Sequence, residues 1–64
     1  MITLKELLDL APNQDEYVVH YDGGHIISLS YDDFANYPYL ENREVTKLYG
    51  YNAEGYDGLE VYLK

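Results

Sequence analysis

The stretch Glu16–Ser30, EYVVHYDGGHIISLS, sets two runs of strand-forming residues on either side of Asp22-Gly23-Gly24. Tight turns need residues that accept positive φ, and Asp and Gly do so at little cost. The spacing predicts a hairpin closed by a two-residue loop, either Asp22-Gly23 or Gly23-Gly24. Both loops put Val18, His20, His25, Ile27 and Leu29 on one face, and Tyr17, Val19, Tyr21, Ile26 and Ser28 on the other. The first face is the one expected to pack under a helix. With Asp22-Gly23 as the loop, His20 and His25 stand directly opposite each other, as cross-strand metal ligands would. A catalytic zinc takes three protein ligands, and no third residue has matching spacing. The expectation is a hairpin tip with two partly exposed histidines, with no metal and no cofactor.

Outward from the hairpin, residues 2–11 carry a helix signature. Thr3 and Glu6 have capping-box spacing, with Ile2 and Leu7 in the flanking staple positions. Leu4, Leu7, Leu8 and Ala11 recur at i, i+3, i+4 and i+7, which makes one apolar stripe. Pro12 disfavours helical geometry at Ala11, so the helix is expected to stop near Leu10. After the hairpin, Ser30 and Asp33 repeat the capping spacing over a short helical turn, 31–37, with Phe34 and Tyr31 facing inward and Pro38 ending it. EVTKLYGY, 44–51, reads as a third strand. The turn-rich NAEGYDG follows, and LEVYLK, 59–64, alternates with Leu59, Val61 and Leu63 inward. The order α-β-β-α-β-β predicts one small α+β domain over residues 1–64, a four-stranded antiparallel sheet with an N-terminal helix on one face.

Sixty-four residues without cysteine allow no disulfide and no thiolate metal site. A chain of this size buries only about 60% of its unfolded surface, so homo-oligomerisation is a natural support. An assembly module would use an exposed strand edge, or Val19, Tyr21 and Ile26 on the face expected to lie uncovered. No stretch reaches the roughly 18 apolar residues of a membrane span, and MITLKELLDLAP lacks a cleavage-site pattern, so a cytoplasmic protein of a bacterial host is expected.

Twelve acids against four bases give a net charge of −8. Such a charge disfavours direct binding to nucleic acid or anionic membrane and favours a basic partner. Nine tyrosines, one phenylalanine and no tryptophan make up the aromatics. Tyrosine suits sheets and binding surfaces alike. Adjacent acids such as Asp15-Glu16 and Asp32-Asp33 define no catalytic dyad, because neighbours on a strand point to opposite faces. No nucleophile elbow or phosphate loop occurs. Binding is therefore expected rather than catalysis. The least unlikely enzyme is a metal-assisted nuclease using His20, His25 and nearby acids.

Carboxylates can imitate the phosphates of a nucleic-acid strand, spaced about 3.4 Å apart, and tyrosines can lie where bases stack. Two stretches supply candidate contact residues: Asp32, Asp33, Tyr37 and Tyr39 in one, and Tyr49, Tyr51, Glu54, Tyr56 and Asp57 in the other. In its size, acidity and lack of cysteine, in MITLKELLDL followed by short strands, and in YDDFANYPY and YNAEGYDG, the chain resembles the small acidic phage and mobile-element proteins that include the anti-CRISPR proteins. That class has no common motif, so no residue role carries over. The resemblance implies inhibition of a host nucleic-acid enzyme such as Cas9, by occupying a nucleic-acid site or disturbing its assembly.

Overall fold

The computed structural model describes residues 2–64. Helix α1 spans Leu4–Leu10. The Glu6 amide donates to Thr3 Oγ1 at 3.2 Å, and the Thr3 amide donates to Glu6 Oε1 at 2.9 Å. This reciprocal pair satisfies two of the donors that every helix start leaves free. Leu4, Leu7 and Leu8 are buried, as their spacing requires. The helix is too short to form alone; its apolar stripe on the sheet holds it.

Strands β1 (Glu16–Tyr21) and β2 (His25–Leu29) form the first hairpin, and β3 (Val45–Ala53) and β4 (Tyr56–Leu63) the second. Two 3-10 helices, Tyr31–Asn36 and Pro38–Leu40, connect the hairpins. The sheet order is β2-β1-β4-β3. Each hairpin is antiparallel, but β1 and β4 lie side by side in parallel, with Tyr17 opposite Leu59 and Val19 opposite Val61. The sheet is therefore mixed, not antiparallel throughout. The reason lies in the connection. Residues 30–44 cross the helix side before β3 begins, and a crossover of a dozen or more residues is what parallel strands require. The most continuously apolar strands, β1 and β4, take the centre.

The first hairpin departs from the two-residue loop. Tyr21 pairs with His25, so Asp22, Gly23 and Gly24 form a three-residue loop, with φ of 50° at Asp22 and 76° at Gly23. One added loop residue reverses the face of β1 relative to β2. Tyr17 and Val19 now point inward with Ile27 and Leu29, while Val18, His20, Ile26 and Ser28 point outward. Tyr17 and Val19 are fully buried. Burial of each such side chain contributes about 1.5–3 kcal/mol. The Tyr17 ring meets Phe34 edge-on at 5.4 Å, and its hydroxyl donates to the Ala11 carbonyl at 2.5 Å. Packing the largest ring with its polar tip satisfied outweighs packing Val18 and His20. Val19 is thus core and not part of an uncovered assembly face, and Tyr21 packs against the same core.

The core is one-sided. Leu4, Leu7, Leu8, Phe34 and Leu40 from the helical layer close over Tyr17, Val19, Leu29, Val45, Val61 and Leu63. Tyr31 stays exposed, contrary to its expected inward turn. A bulge between Val45 and Lys47 keeps both Val45 and Leu48 on the helix side despite their odd spacing. No helix among the described residues is long and apolar enough to cross a membrane.

Candidate binding face

The opposite face of the sheet has no covering element among the described residues. Its composition follows from strand register. One row runs Ile26, His20, Tyr62 and Lys47 across the four strands, and the next runs Ser28, Val18, Glu60 and Tyr49. The row beyond holds Glu16, Gly58 and Tyr51, and Tyr56 follows at the second hairpin.

These side chains order one another. The His20 and Tyr62 rings stack at 4.0 Å and 11°, as parallel neighbours in register allow. Tyr49 meets Tyr62 edge-on at 6.0 Å. Lys47 Nζ sits 5.8 Å from the Tyr62 ring centroid, within cation–π range. His20 Nε2 lies 3.1 Å from Glu60 Oε2, and the Tyr62 hydroxyl donates to Glu60 Oε1 at 3.4 Å. Desolvation and then the neighbouring Glu60 charge raise the Tyr62 phenol above its usual range.

Glu16 is the second carboxylate of the face. It accepts hydrogen bonds from Ser28 Oγ of β2 and from the Tyr51 hydroxyl of β3. The Ser28 bond and then the Tyr51 bond hold its carboxyl below the usual range. The same contact pushes Tyr51 up to about 12, because ionising the phenol would lose the bond and set two anions together. Tyr51 reaches Glu16 by lying across β4 at Gly58, where a Cβ would fall inside the tyrosine ring. Only glycine fits beneath that ring, and Gly58 is buried for this reason. Both carboxylates keep acceptor capacity, since a carboxylate has about four acceptor sites.

The nine candidate contact residues divide. Tyr49, Tyr51 and Tyr56 lie on this face, with 53%, 39% and 45% of their surface exposed. Glu54 stands at the tip of the adjoining two-residue turn with φ 54°. Asp57 turns to the other side of the sheet; its carboxylate accepts from the Asn52 amide, and its backbone amide donates to Asp15 Oδ2 at 2.8 Å. Asp32, Asp33, Tyr37 and Tyr39 belong to the 3-10 helical connection on the helix side of the sheet, not to the tyrosine face. The Asp33 carboxylate accepts from the Ser30 amide at 3.0 Å, which holds its pKa down. Tyr37 packs against the core, 6.1 Å from the exposed Tyr39 ring. A shallow cleft of about 300 Å³ on that side is lined by Lys5, Asp9, Tyr31, Asp32 and Glu41 among others.

Glu16, His20, Glu60 and Tyr62 also belong to this face and are not among the contact residues expected from the sequence. The alternation of LEVYLK already turned Glu60 and Tyr62 outward. His20 was hidden by the assumed loop length. With the three-residue loop, His20 faces outward and His25 pairs with Tyr21 on the helix side, so the two histidines occupy opposite faces. Among the described residues no three His, Asp or Glu side chains converge as a metal-ligand set. A larger open cleft, about 390 Å³, lies at the Gly23-Gly24 end, bordered by His20, Ile26, Lys47 and Tyr62 among others.

Comparison of the chain with protein-family models, with curated proteins and with solved structures finds no match in any of the three.

Proposed function

We propose that this chain is a small acidic binding protein that docks the open face of its sheet on a basic protein surface. The partner we assign is a nucleic-acid enzyme of the Cas9 kind, inhibited through its nucleic-acid site. The observation that carries this reading is the gathering of Tyr49, Tyr51, Tyr56 and Tyr62 around two hydrogen-bonded carboxylates, Glu16 and Glu60, on a sheet face with no covering element among the described residues.

Each part has a physical role. Tyrosines anchor an interface at low entropic cost and present a polar tip to the rim. Carboxylates already oriented by Ser28, Tyr51 and His20 meet a guanidinium without further ordering. The net charge of −8 speeds encounter with a basic surface and makes binding salt-sensitive. A partner docked on the sheet meets the tyrosines of the open face and does not touch Asp32 and Asp33.

The test is size-exclusion chromatography with light scattering of the chain mixed with Cas9 and its guide RNA, at low and high salt. Co-elution at low salt, lost at high salt and in Tyr49→Ala/Tyr56→Ala, is the expected result. Absence of a complex at low salt, or a complex indifferent to both salt and the tyrosine substitutions, overturns the reading.

A further inference from the structure

Strand β3 closes the sheet on one side, and its outer edge is only partly occupied. At its start the chain covers itself: the Val45 amide donates to the Ile2 carbonyl at 2.9 Å, and the Leu4 amide to the Arg43 carbonyl at 2.9 Å. At its end the turn at Glu54-Gly55 leads away into β4. Between these limits, no backbone group among the described residues pairs with the outer edge of residues 47–53, which presents a row of donors and acceptors. Natural edges are blunted by charge, proline or bulges. Here the bulge lies before Lys47, and Leu48–Ala53, LYGYNA, has neither charge nor proline in a chain that is 25% charged. Leu48, Tyr49 and Tyr51 are all substantially exposed along it.

The free stretch is self-complementary. Ala53 and Tyr56 flank the two-residue turn, so they form its hydrogen-bonded pair. Alternation then turns the amide and carbonyl of Asn52, Gly50 and Leu48 outward. Gly50 is the midpoint of residues 47–53. A second copy laid antiparallel about Gly50 pairs Gly50 with Gly50 and Leu48 with Asn52, so every outward group meets an outward group. Tyr49 then stands opposite Tyr51 of the other copy on the open face. Lys47 of each copy lies opposite Ala53 and beside Glu54 of the other, so the one base on the strand meets the acid at the far end of its mate. No acid of either copy is brought against an acid along the pairing.

We propose that β3 pairs with β3 of a second copy about Gly50, giving a two-fold dimer with one eight-stranded sheet. The tyrosine faces of the two copies then form one continuous surface. The inference is independent of the partner reading, and salt separates the two. Two bodies of −8 repel, so added salt tightens the dimer, whereas it weakens docking on a basic surface.

Sedimentation equilibrium over a wide concentration range, with circular dichroism as the fold readout, tests it. The native chain is expected to be a dimer. Gly50→Pro removes an outward donor that β4 does not use, and is expected to be a folded monomer. Lys47→Glu is expected to weaken dimerisation about fivefold or more, because the pair occurs twice. Lys47→Glu/Glu54→Lys is expected to restore it, while Lys5→Glu, the same charge change on α1, has a smaller effect. A native chain that stays monomeric at millimolar concentration overturns the proposal. So does a dimer that survives in folded Gly50→Pro, or a double variant that fails to recover. If Gly50→Pro loses its fold, the charge exchange alone decides.

Discussion

The Tyr51 phenol of β3 lies over Gly58 of β4 and donates a hydrogen bond to Glu16 of β1. One side chain thus spans the central β4 strand and ties an edge strand to the far side of the parallel pairing. With Ser28 of β2 bonded to the same carboxylate, the link runs through all four strands.

This contact predicts a pH window. Tyr51 is raised to about 12 in the folded chain, against about 10 unfolded, so the bond's stabilisation is whole below pH 10 and is lost as pH climbs through 12. Glu16 is shifted the other way. Its contribution is present above the ordinary carboxylate range and is lost as pH falls through its lowered folded value. An ultraviolet tyrosinate titration is expected to contain a component near pH 12, and that component is absent in Tyr51→Phe.

Gly58→Ala puts a methyl group where the Tyr51 ring lies. The ring must leave, and the bond to Glu16 goes with it. A loss of about 1–3 kcal/mol is expected in urea unfolding, the usual cost of overpacking. Tyr51→Ala alongside Gly58→Ala removes the clash, so the two losses add to less than their sum. Strict additivity would show that the ring does not occupy that position.

The register of β1 makes adjacent valines unequal. Val19→Ala empties space in the core and is expected to cost about 2 kcal/mol. Val18→Ala, on the open face, is expected to stay within about 0.5 kcal/mol. Equal costs would mean that β1 presents its other face to the helix. Tyr17→Phe leaves the Ala11 carbonyl without its donor and is expected to cost about 1 kcal/mol.

The N-terminal cap is predicted to matter more than its exposure suggests, because α1 covers the core while spanning two turns. Thr3→Ala is expected to lose about 1 kcal/mol by thermal or urea unfolding. The backbone bond from Thr3 lowers the Glu6 pKa, so the Glu6 half of the cap holds above the ordinary carboxylate range and fades as pH falls through its lowered value. In Glu6→Gln that acid-side loss is expected to disappear.

Legibility followed the range of the interactions. The Thr3–Glu6 capping box, the Leu4, Leu7 and Leu8 stripe and the Val61 and Leu63 alternation are decided by groups a few residues apart. The sequence by itself determined that α1, both hairpins and the short capped turn at Ser30 would exist, and that Glu60 and Tyr62 would face away from Val61. Only the tertiary structure decided the loop length at Asp22–Gly24. Two- and three-residue turns use the same glycines, and burial of Tyr17 between Phe34 and the Ala11 carbonyl selects the longer one. That selection turned His20 outward and separated it from His25. Tertiary packing also placed β1 beside β4, bringing His20 against Glu60 from forty positions away. Pairing over that distance is settled by which strands bury most apolar surface, and no local pattern encodes it.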